Sequence, residues 1–61
     1  MSNEVREKAI FRLKSKWFSG SPVVSVGGER FEAYEVVNLI EKLQKNEESE
    51  EERRLISIEL Y

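Results

Sequence analysis

The spacing of apolar residues changes period three times along this chain. From Val5 to Trp17 it is helical: at about 100° per residue, Val5, Ala9, Ile10, Leu13 and Trp17 fall within one stripe about 140° wide. Ser2 or Asn3 can accept a hydrogen bond from the first orphan N–H groups, and Glu4 places negative charge at the positive end of the dipole. The helix is therefore expected to run from there to about Phe18. Gly20 supplies a left-handed stop and Pro22 prevents its continuation. Between Val23 and Glu32 the period falls to two, around Gly27-Gly28. Two glycines between short β-prone runs predict a hairpin, with Val26 opposite Glu29, Ser25 opposite Arg30, Val24 opposite Phe31 and Val23 opposite Glu32. Val24, Val26 and Phe31 then share an apolar face that needs a cover.

Helical spacing returns from Ala33 to Lys45. Ala33, Val36, Val37, Leu39, Ile40 and Leu43 cluster on one side, and Glu35, Asn38, Glu41, Lys42 and Lys45 on the other. Glu32 and Ala33 are poor caps, so the start is open by about two or three residues. Tyr34 is expected to lean against Trp17. The run Asn46-Glu47-Glu48-Ser49-Glu50-Glu51-Glu52 repels itself and predicts a solvated acidic connector over 47–52, although Ser49 with Glu52 could form a capping box for a third helix. In the tail, 53–61, Ile56, Ile58 and Leu60 alternate with Ser57, Glu59 and Tyr61. That period and the β-branched residues favour a third strand, added to the hairpin of its own chain or of a second copy. The expectation is one small α+β domain with a core over 1–46: helix, two-stranded antiparallel hairpin, helix.

Sixty-one residues bury only about 60% of the surface their unfolded chain exposes, so the core must be thin. There is no Cys and no His, which removes disulfides, thiolate chemistry and imidazole catalysis together and fits an intracellular, reducing setting. No apolar run approaches the roughly 18 residues of a membrane span, and Met1 to Gly20 lacks a signal peptide's uncharged apolar stretch, so the chain is expected to be soluble and to bind no membrane. No Ser lies in a strained elbow or a Ser-x-x-Lys arrangement, Gly27-Gly28 has no following lysine of a phosphate loop, and the acidic run lacks the turn glycine and oxygen spacing of a calcium loop. We therefore expect no enzyme, no cofactor, no metal and no small-molecule substrate.

The net charge of −2 hides an uneven distribution. Arg6, Lys8, Arg12, Lys14 and Lys16 outweigh Glu4 and Glu7 before Phe18, and the remainder is acidic. Phe11 and Phe18, seven residues apart, lie roughly opposite the apolar stripe, near Glu7 and Lys14. Two readings of them stay open. Either Phe18 folds under the helix end and Phe11 is covered by the C-terminal segment, or both form a surface for a protein partner or self-association, together with Lys14 and with Arg30 on the outer hairpin face. The alternative class is a small regulatory protein contacting nucleic acid through Lys8, Arg12, Lys14 and Lys16, against which stand a pI of about 5.2 and the acidic connector.

The stretch Ala9 to Gln44 holds a helix ending Lys16-Trp17-Phe18-Ser19-Gly20, then Ser21-Pro22-Val23-Val24-Ser25-Val26, a glycine turn, Arg30-Phe31-Glu32, and a helix with Leu39, Ile40 and Leu43. It resembles the lambda-type phage head-to-tail joining protein W family. The hairpin is shorter than that family's, and the acidic connector with its apolar tail stands where the family has a basic C-terminal segment. The resemblance implies a virion component, set as a ring between capsid portal and tail, that binds other proteins without catalysis.

Overall fold

A computed structural model describes all 61 residues as α1 (Asn3–Phe18), β1 (Val23–Val26), β2 (Glu29–Glu32), α2 (Ala33–Gln44) and α3 (Glu50–Leu60). The predicted α+β order of helix, hairpin and helix is present. Ser2 Oγ accepts the Val5 N–H at 3.2 Å to start α1, and Gly20, at φ +82°, ends it. The hairpin has the predicted register, Val23↔Glu32 through Val26↔Glu29. Gly27 and Gly28, at φ +60° and +83°, make a turn whose two central residues are both left-handed, which suits the twist of the flanking strands. The Ala33 N–H donates to the Pro22 carbonyl at 3.0 Å, carrying the ladder one pair further.

Glu35 reaches back to accept the Glu32 N–H at 3.2 Å, so the weak cap at the start of α2 is reinforced from inside the helix. The end of α2 is closed by Asn46 at φ +58°: the Glu47 N–H donates to Lys42 O at 2.8 Å and the Asn46 N–H to Leu43 O at 3.3 Å. This crossed pair satisfies carbonyls that the helix leaves open.

Ala9 and Leu13 of α1, Val26 of β1, Val36, Leu39, Ile40 and Leu43 of α2 and Ile56 of α3 are the buried hydrophobic residues, with Ile10, Val24, Phe31 and Leu60 half-buried around them. Val24, Val26 and Phe31 thus face inward as their alternation requires. The stripe of α1 packs chiefly on α2 and less on the hairpin. Its margins, Val5 and Trp17, remain partly in solvent. Tyr34 does not lean on Trp17; it is exposed, and the ring beside Trp17 is Phe18, at a centroid distance of 4.9 Å.

The tail is the principal correction: 53–61 forms no third strand, and all of it but Tyr61 belongs to α3. Ser49 Oγ accepts the Glu52 N–H at 3.2 Å and Glu52 accepts the Ser49 N–H at 2.8 Å, a reciprocal capping box. Glu50, Glu51 and Glu52 occupy the first turn, where the dipole favours negative charge. Helical geometry brings Ile56 and Leu60 inward at i and i+4 and sends Ile58 out to solvent, whereas alternation would have grouped all three. The acidic run is likewise more than a solvated connector. Its last residues begin α3, and Glu48 within it is buried.

Candidate interaction surfaces

Three carboxylates fasten α3 to the rest of the chain, and they decide which cations are left over. Glu59 is the most heavily engaged. It accepts from Arg12 Nε at 2.7 Å and the Gly27 N–H at 3.0 Å, with Lys16 Nζ at 3.1 Å. Burial pushes its carboxyl up, but the hydrogen bonds from Arg12, Gly27 and Lys16 prevail and hold the pKa down at about 2. Glu48 accepts from Arg6 at 2.7 Å, and the same guanidinium nitrogen donates to the Leu43 carbonyl at 3.0 Å. Chiefly through that Arg6 bond, the Glu48 carboxyl lies below the ordinary range. Glu52 meets Lys42 Nζ at 3.0 Å.

Both phenylalanines of α1 stand in solvent, Phe11 at 75% and Phe18 at 74% exposure. Of the two readings left open, the one in which Phe18 folds under the helix end and the C-terminal segment covers Phe11 is therefore corrected: α3 docks against the Arg12 and Lys16 flank through Glu59 and leaves Phe11 outside. The two rings do not form one patch. Phe18 edges a groove of about 290 Å³ at the seam of α1 and α2, shared with Lys14, Trp17, Val37, Ile40 and Gln44. Phe11 edges a larger one, about 580 Å³, between α1 and β1, shared with Arg12, Ser15, Lys16, Ser19, Val24 and Ser25.

The other expected contact residues divide in the same way. Lys14 joins the Phe18 groove, while Arg30, exposed and opposite Ser25 in the ladder, lies one strand beyond the Phe11 groove. The four cations assigned to nucleic acid do not line one face either. Lys8 lies beside Glu4, Glu7 and Leu60, Lys14 sits on the aromatic seam, and Arg12 and Lys16 share Glu59. Sequence reasoning missed Glu48, Glu52 and Glu59 as fasteners. Only Glu52 carried a local signal, three residues after Ser49.

No His, Cys, Asp or Glu cluster is placed to hold a metal ion, and no helix is long and apolar enough to cross a membrane. The chain matches no family model, no curated protein and no solved structure.

Proposed function

We propose that this chain is a non-catalytic protein-interaction module. The observation that supports the reading is the pair of phenylalanines on α1, each about three-quarters exposed in a chain that buries few large side chains. Exposed aromatics edging grooves are what an interface uses as anchors, because a flat ring fills a pocket at small entropic cost. Lys14 beside Phe18, and Arg30 beyond Phe11, supply the polar margin of such contacts. A joining piece between phage head and tail is the instance that the pattern of residues 9–44 suggests. Nucleic-acid binding is the weaker reading, since the four cations do not line one face: Lys8 lies beside Glu4 and Glu7, and Lys14 is turned to the aromatic seam, away from Arg12 and Lys16.

The test is assembly. Sedimentation and affinity capture should show self-association or a defined partner for the native chain, lost in the double variant Phe11→Ser, Phe18→Ser while its circular dichroism is unchanged. A monomer that captures nothing, or whose partner is indifferent to both substitutions, overturns the reading.

A further inference from the structure

The hairpin has only two strands, so each strand presents one open edge. In this register Val26 pairs with Glu29 and Val24 with Phe31 through ladder hydrogen bonds, as the Ala33-to-Pro22 bond two residues on requires. Val23 and Ser25 therefore turn their N–H and C=O groups away from β2. The Ser25 carbonyl receives Lys16 Nζ, while the Ser25 N–H and both groups of Val23 have no protein partner. Ser25 of this row lines the groove between β1 and α1, and Val23 continues the same open edge beyond it. Phe11 and Val24 supply the groove's apolar walls, and Arg12 and Lys16 its charge. No acidic side chain lines it. Glu59, which partners both cations, has a side chain only 10% exposed, against 54% for Arg12 and 28% for Lys16, so the surface offered to a ligand is cationic.

Resting on the module reading, we infer that this groove takes an extended acidic peptide segment of a partner protein, which adds as a third strand along β1. Its backbone pairs with Val23 and Ser25. One side chain enters between Phe11 and Val24, and a carboxylate two residues away along the same face meets Arg12 or Lys16. Backbone pairing supplies affinity in this mode, and the alternate side chains supply selectivity.

The experiment selects peptides from a displayed library of random dodecapeptides on the full-length chain and titrates the selected peptide into isotope-labelled protein. The inference expects acid-rich sequences with alternating apolar residues, and amide shifts centred on Val23 and Ser25. N-methylation of the peptide nitrogen that pairs with Val23 should weaken binding about fivefold to tenfold, the loss of one backbone hydrogen bond. Replacing the peptide's acids by lysine should weaken it by a similar factor or more. Ser25→Pro removes one outward donor without touching the ladder and should do the same. Because proline also fixes the backbone of β1 at that residue, the N-methylated peptide on the native chain is the deciding measurement.

Shifts centred on Trp17, Val37 and Gln44 overturn the inference and leave the module reading standing, as does binding indifferent to N-methylation. Dimerisation that protects the Val23 and Ser25 amides overturns it too, by giving the edge to a second copy, and so does an oligonucleotide that displaces the peptide. Failure of any peptide to bind saturably overturns it, and together with the loss of assembly above would remove both readings.

Discussion

Residues 3–44 and residues 50–60 are held by different forces. Seven of the eight buried hydrophobic side chains come from α1, β1 and α2, whereas α3 contributes Ile56 alone. What α3 lacks in apolar burial it makes up with Glu48 just before it and Glu52 and Glu59 within it, each on a cation of another element. Apolar packing neither titrates nor carries charge for salt to screen, whereas ion pairs at a partly wet surface respond to both pH and screening. The first unit should thus set global stability, and the second should be the part that conditions can loosen.

The largest effect expected is from the first unit. Leu39 is 1% exposed, and Leu39→Ala removes buried methyl groups and leaves a cavity, typically about 2–5 kcal/mol. In a domain of this size that is comparable to the whole stability. Circular dichroism at 25 °C should show Leu39→Ala largely unfolded; a cooperative melt close to that of the native chain would mean that α2 is not the centre of the core.

A sharper test of how α3 docks compares two neighbouring glycines. Gly27 and Gly28 both have positive φ, so alanine is strained at either, by roughly 1–2 kcal/mol. They differ in what lies next to them. A Cβ on Gly27 would run into the Leu55 backbone of α3, whereas one on Gly28 meets nothing within 4 Å. Gly27→Ala should therefore cost about 1–3 kcal/mol more than Gly28→Ala in denaturant titration, and α3 amides should lose hydrogen-exchange protection first. Equal effects would show that the turn does not press on α3.

Next in size is Glu48, buried against Arg6. Glu48→Gln leaves the guanidinium without its counter-charge and should cost about 1–3 kcal/mol, again with exchange rising first in α3. Acid does the same to all three fasteners. The Glu59 carboxyl is held at about 2 rather than 4.5, and those of Glu48 and Glu52 are also lowered. A lowered folded-state value means stability that is full above the unfolded pKa and is lost as pH falls toward the folded one. Between about pH 4.5 and 2 the chain should lose stability, with Glu59 accounting for about 1–2 kcal/mol once screening around the half-exposed Arg12 is allowed for. Glu59→Gln should flatten that part of the curve, and an unchanged slope would deny Glu59 its place.

The same contrast explains what was legible in the sequence. The hairpin register followed from Gly27-Gly28 and two-residue alternation, and α2 from Val36, Leu39, Ile40 and Leu43, because each is a local signal repeated within a few residues. The tail is ambiguous because Ile56, Ile58 and Leu60 satisfy a strand's period, while the signal for helix lies upstream, in Ser49 and three glutamates. The partners of Glu48 and Glu59 lie 42 and 47 residues away, and no spacing rule reaches that far. Phe11 and Phe18 share a face by helical arithmetic, yet two grooves divide them because α2 and the β1–α3 side pack on opposite flanks of α1.

The smallest effect lies at the joint between the two units. Asn46 turns the chain from α2 toward Glu48 by adopting φ +58°, a conformation asparagine tolerates and glycine adopts without strain. Asn46→Gly relieves the Cβ while adding freedom to the unfolded chain, two terms of opposite sign and similar size, so stability should move by no more than about 0.5 kcal/mol. Asn46→Val retains no such tolerance and should cost about 1–2 kcal/mol. The crossed hydrogen bonds from Asn46 and Glu47 set where the acidic run departs, so the valine variant should also raise hydrogen exchange at the start of α3 more than in α1. Equal rises in both helices would place the joint inside the first unit rather than between the two.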